Sequence, residues 1–224
     1  LLELLMDKIS ETKLAGLTLI FGPLTATIIS IIFLVIPSLT ASDTVDLLDW
    51  SVVANEQYNL ELWVRVPLLL IPVLLTFSVF GFSVLGDRLE KFGHFFKAGM
   101  NLFVANIIIS AAAWGVLQSI AWIGSPGWPM AVVSAGMASY ATFLGSIGLL
   151  IISLSIAGNK NIHNQMFAYT VALFMILGIL TQGIMLLDRT EFILNIANPL
   201  TAISYVVFSL WTLSLGLKLY SNES

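Results

Sequence analysis

Three neutral polar side chains, Asn106, Ser110 and Gln118, recur at helical spacing within an otherwise apolar run. Ser110 lies one turn beyond Asn106 and Gln118 two turns beyond Ser110, so a helix would carry them as a strip along one face. Such groups have two uses in a membrane helix. They bond to a neighbouring helix, at about 0.6 kcal/mol each, or they line a pocket for a small or amphiphilic ligand. Gln182, Ser204 and Tyr205 are further neutral polar groups in apolar surroundings. What is missing is equally informative: no Asp, Glu, Lys, Arg or His lies in the middle third of any long apolar segment. Intramembrane ionisable groups mark proton relays and ion pathways, so their absence argues against a proton-coupled pump, a retinal-type pigment and a metal-centred intramembrane enzyme. Cysteine is absent, which removes thiolate nucleophiles, Cys-ligated zinc and iron–sulfur clusters. His94 and His163 fall in loops on one side and, with Asp87 or Glu90, could hold a divalent ion. They lack the spacing of a metal motif and read as surface histidines. With no G-x-S-x-G elbow and no phosphate-binding glycine run, no catalytic residue, metal site or cofactor is expected.

The elements that must position these groups follow from composition. The 224-residue chain is 58% apolar and 10% charged, with a mean hydropathy of +0.97, whereas soluble domains carry about 25% charged residues. A spanning helix needs about 20 mostly apolar residues. Six segments qualify, at about residues 14–39, 63–85, 98–123, 128–156, 165–187 and 194–217. The expected fold class is therefore all-α: a single-domain polytopic membrane protein with six transmembrane helices. Seven of the nine basic residues (Lys8, Lys13, Arg88, Lys91, Lys97, Lys160 and Lys218) fall in alternate connections and the terminal regions, against Arg65 and Arg189 on the other side. The positive-inside bias then places both termini in the cytoplasm. The net charge of −4 and the lack of a basic run exclude nucleic acid as a partner.

Small residues at four-residue spacing let membrane helices approach closely. The fourth segment is rich in them, with rows Ser134–Ala138–Thr142–Ser146, Ala131–Ala135–Ser139 and Ala141–Gly145–Gly148. Similar rows are Ala111–Gly115–Ser119 on the third segment and Gly22–Ala26–Ser30 on the first. This pattern predicts a central fourth helix with the third and first as its neighbours. Pro23 and Pro72 each remove a helical N–H and can kink their helices. Asn198 and Pro199 read as the cap and first turn of the sixth helix.

The longest polar stretch, residues 42–62, holds Asp43, Asp46, Asp49, Glu56 and Glu61 with no Lys or Arg. On the positive-inside reading it is an external loop, and its periodicity predicts an interfacial helix over about 43–54. Leu48 and Trp50 on its apolar side are the candidate docking residues.

The pieces "LAG" and "FGP" within "KLAGLTLIFGPLTATIISIIF", then an acidic loop and a second segment ending "GDRLEK", resemble uncharacterised six-helix prokaryotic membrane proteins grouped as domains of unknown function. That resemblance implies a multi-pass protein of a prokaryotic cell membrane and carries no functional residue with it. Two functions remain open. The first expectation is a non-catalytic accessory or scaffold subunit, whose partners are the lipid bilayer and other membrane protein subunits. The alternative is a small transporter or receptor for an apolar or amphiphilic ligand, with Asn106, Ser110 and Gln118 lining its path.

Overall fold

The computed structural model describes residues 10–35, 58–59, 61–123, 127–187 and 190–221. Six long helices account for nearly all of them: α1 (Glu11–Ser30), α2 (Leu62–Gly86), α3 (Gly93–Gln118), α4 (Trp128–Ala157), α5 (Gln165–Leu187) and α6 (Glu191–Ser221). A π-helical turn, Ile31–Val35, continues α1, and a single turn, Ile120–Ile123, follows α3. All six are long and apolar enough to cross a membrane, and no strand occurs among the described residues. The proposed interfacial helix, with Leu48 and Trp50, lies outside those residues.

The first and last helices start before the edges that hydropathy marks, and α3 runs from Gly93 to Gln118 rather than over 98–123, because capping and turn chemistry rather than apolarity set where a helix starts and stops. Ser10 caps α1 by accepting the Lys13 N–H at 3.2 Å, so the helix begins at Glu11, three residues before the apolar run. α6 starts at Glu191, not at the expected Asn198–Pro199 cap. The Thr190 hydroxyl accepts the Ile193 N–H at 3.4 Å, Asn198 is exposed, and Pro199 sits inside the helix. α1 and α2 likewise run through Pro23 and Pro72 without a break.

Each helix packs on its neighbours in sequence, and α6 returns to α1, so the six form a closed ring. α4 is the most buried span, with 56% of its most apolar window inside the protein. Its neighbours are α3 and α5, however, and α1 packs against α2 and α6. The expected α4–α1 contact is therefore corrected, and glycines explain why. A Cβ on Gly148 would stand 2.7 Å from the Gly99 carbonyl oxygen, which locks α4 to α3. On α1, a Cβ on Gly22 would lie 2.5 Å from the Leu74 carbonyl oxygen of α2, and one on Gly16 would lie 2.7 Å from the Gly216 carbonyl oxygen of α6. Both small faces of α1 are thus occupied. The Ala111–Gly115 row of α3, by contrast, points outward, with open space around Gly115.

One end of the ring gathers the basic residues. Arg88 bonds to the Thr12 hydroxyl, Lys218 Nζ donates to the Asn161 carbonyl at 3.0 Å, and Lys13 lies 6.0 Å from the Tyr220 ring centre. Asn159 ties the two connections there. Its Oδ1 accepts the Lys91 N–H at 3.2 Å, and its Nδ2 donates to the Lys91 and Ser155 carbonyls at 3.0 and 2.8 Å. Phe92 adopts a left-handed backbone, φ 65°, and its ring covers Gly158, where a Cβ would meet it at 2.7 Å.

The two histidines differ. His94 is exposed, but His163 is buried, with Nε2 2.9 Å from Ser214 Oγ and Nδ1 3.3 Å from the Asn164 carbonyl. A chain pattern cannot reveal that α6 reaches back over the α4–α5 connection, and so the surface assignment fails for His163. Burial holds its pKa below the ordinary 6.5, the nearby Lys218 charge adds to the depression, and the Asn164 bond opposes it.

Two predictions follow from this packing. Gly148→Ala must push α3 and α4 apart and should cost about 1–3 kcal/mol. Gly136→Ala faces open space and should be neutral or gain up to about 1 kcal/mol from helix propensity; thermal unfolding in one detergent compares the two. For His163, the unfolded chain takes up a proton before the folded one, so stability is level above 6.5 and falls as the pH drops below it. Melting curves at about pH 7.5 and 5.5 should show a smaller drop for His163→Gln than for the parent protein.

Candidate functional site

Near the midpoints of α3 and α4, helices α2 to α6 border a partly open cavity of about 30 Å3, with Tyr205 exposed at its edge. At roughly 10–15 Å3 per water, it has room for two or three water molecules. Its wall is mostly apolar, with Leu75, Phe103, Leu149, Met175 and Phe208, and its polar groups are Asn106 from α3, Thr142 and Ser146 from α4, and Thr201, Ser204 and Tyr205 from α6. Glycines admit these side chains. A Cβ on Gly145 would sit 2.7 Å from the Asn106 amide, and one on Gly178 would sit 2.8 Å from Ser146 Oγ.

The hydroxyl protons in this wall are mostly committed. Thr142 donates to the Ala138 carbonyl at 2.9 Å and is also bonded to the Tyr205 hydroxyl. Ser204 donates to the Leu200 carbonyl at 2.8 Å. Thr201 Oγ1 accepts from Gln182 Nε2 at 2.9 Å, and Ser110 donates to Asn106 Oδ1 at 3.3 Å. The wall therefore offers hydroxyl lone pairs and an amide, with no charge at all. Such a surface suits a small neutral molecule able both to donate and to accept hydrogen bonds.

The structure divides the strip read from the sequence. Asn106 borders the cavity, Ser110 supports Asn106 from within the same helix, and Gln118 lies at the far end of α3, its buried Nε2 without a partner among the described residues. Other residues make the bonds between helices. Thr27 and Ser209 share a hydrogen bond of 2.5 Å between α1 and α6, Ser209 donates to the Pro23 carbonyl at 3.1 Å, and Ser134 donates to the Ala113 carbonyl at 2.8 Å. Thr142 and Ser146 had been read only as small packing residues, and Thr201 had not been singled out. Their signal was the recurrence of hydroxyls, one turn apart on α4 and clustered with Ser204 and Tyr205 on α6.

Toward the basic end, four buried rings pack together beside the cavity. Phe82 lies 6.0 Å from Phe103, 6.4 Å from Phe208 and 5.9 Å from Trp211, centre to centre. Edge, tilted and stacked contacts of this kind contribute about 0.5–1.5 kcal/mol beyond area burial. The indole N–H of Trp211 is buried without an acceptor among the described residues, a cost of about 1–3 kcal/mol. The aromatic layer thus combines tight packing with an unmet donor.

No three His, Asp or Glu side chains come together among the described residues. The His163–Ser214 pair does not border the cavity and acts as a tether between α6 and the α4–α5 connection. No protein-family model, no curated protein and no solved structure matches the chain, so functional readings rest on its own residues.

Proposed function

We propose that the protein is a non-catalytic membrane protein that binds, and passes, a small uncharged hydrogen-bonding solute through its midplane cavity. The observation that carries this reading is the charge-free cavity within the helical ring, a mostly apolar wall into which α3, α4 and α6 set a small group of hydroxyls and one amide. Its size favours a solute of a few heavy atoms over the apolar or amphiphilic ligand expected from sequence. The positive-inside bias supports a cytoplasmic basic end, with both termini on that side of a cell membrane. The aromatic layer would then be the inner gate.

The accessory-subunit reading keeps one observation of its own. Gly115 on α3 and Gly136 on α4 have open space where a Cβ would stand, and small residues exposed to lipid are the usual seat of a further helix. Native gels of mildly solubilised membranes test it: a species running only as a lone monomer removes this role.

For the cavity, stopped-flow permeability of proteoliposomes to water and urea is the direct test. Parent protein should exceed protein-free liposomes. Asn106→Leu, similar in volume but unable to hydrogen bond, should cut the excess about fivefold, as expected for a lost bond of about 1 kcal/mol. Permeability equal to that of empty liposomes for both solutes would sink the proposal.

A further inference from the structure

A second, larger cavity of about 110 Å3 opens at the basic end, bordered by Leu85 and Arg88 from the α2 end, Asn161 and Ile162 from the α4–α5 connection, and Leu215 and Lys218 of α6. The order along the helices sets it apart from the midplane cavity. On α2, Leu75 borders the midplane cavity, Phe82 belongs to the aromatic layer, and Leu85 borders the basic pocket; on α6, Phe208, Trp211 and Lys218 repeat that order.

Two cations line this pocket, and neither is ion-paired among the described residues. Arg88 commits one nitrogen to the Thr12 hydroxyl, and Lys218 commits its ammonium to the Asn161 carbonyl. A guanidinium has five N–H donors and an ammonium three, so most remain unspent. Among the described residues neither is paired with a neighbouring carboxylate: Glu11 on α1 and Asp87 and Glu90 in the α2–α3 turn are exposed, as is Arg88 itself. Lys13 on α1 and Lys160 in the next connection add positive charge, and His163 is held toward its neutral form. The apolar side chains of Leu85, Ile162 and Leu215 form the floor of the pocket, with Arg88 exposed and Lys218 half-buried at its rim, and bonds from such cations to an anion are charge-assisted.

We propose that this pocket is an oxyanion site that takes one phosphate group, with Arg88 and Lys218 as its ligands. The shared chemistry is a tetrahedral phosphate, supplied either by an anionic lipid headgroup at the membrane surface or by free phosphate. A fork of N–H donors beside a mobile ammonium matches such a group, and the volume exceeds that of several water molecules. The site does not depend on the solute proposal, because it lies on the other side of the aromatic layer.

The test uses the full-length purified protein in nanodiscs. One arm titrates inorganic phosphate into protein held in phosphatidylcholine alone; the other compares phosphatidylcholine with discs containing phosphatidylglycerol. Each arm is read by thermal shift, and the lipid arm also by native mass spectrometry of retained lipid. Stabilisation in at least one arm is expected, weakening with added salt. The double variant Arg88→Gln, Lys218→Gln should lose it at least about tenfold in apparent affinity, given charge-assisted bonds at both groups, whereas Lys97→Gln, which removes a charge outside the pocket, should keep it. Because both substituted groups also hold neighbours, Arg88→Lys with native Lys218 serves as the folded control and should retain partial binding. A response in the phosphate arm identifies the free anion, and a response confined to the lipid arm identifies the headgroup. No response in either arm, or an equal response in the double variant, overturns the proposal.

Discussion

The close approach of α1 and α6 is the constraint on which the rest depends. Gly16 and Gly216 let the two backbones meet, since a Cβ on Gly216 would stand 2.5 Å from the Gly16 carbonyl oxygen, and the Thr27–Ser209 bond joins the same helices further along. In lipid there is little hydrophobic gain from bringing helices together, so association rests on such contacts and on hydrogen bonds between spans. Without this seam, the up-and-down order of six helices would remain an open sheet of helices. With it, the six helices close around a common core.

The interior of the bundle is graded along its axis. The charge-free cavity at the midplane respects the energetic rule against ionised groups at that depth. The layer of Phe82, Phe103, Phe208 and Trp211 separates it from the basic end, where cations can be solvated or meet phosphate. Each compartment has chemistry suited to its depth, and the cavity needs no ionisable residue to offer hydrogen bonds.

Much of this order is legible in the sequence. Apolar length marks all six spans, and the distribution of Lys and Arg groups the ends that the Arg88–Thr12 and Lys218–Asn161 contacts bring together. Asn106 is recognisable as a polar residue of consequence. Helix partners are not recognisable in the same way, because a row of small residues says that something approaches without saying what; Ala111–Gly115 faces outward, while Gly99 and Gly148 make the α3–α4 contact. Residues whose role depends on a distant segment are equally hidden. Asn159 reads as a loop residue until Lys91 is seen beside it, and His163 reads as exposed until Ser214 arrives from fifty-one residues on. Thr142, Ser146 and Thr201 become a wall only once α4 and α6 face the same space.

Ring closure between α1 and α6 is the central claim, and the absence of native cysteine makes it directly measurable. Thr27→Cys paired with Ser209→Cys replaces two hydroxyls 2.5 Å apart, a separation that brings the sulfurs within the narrow geometry of a disulfide. Mild oxidation in native membranes should crosslink this pair efficiently, whereas Thr27→Cys paired with Ser139→Cys on α4 should not react. Failure of the first pair together with crosslinking of the second would contradict the closed ring.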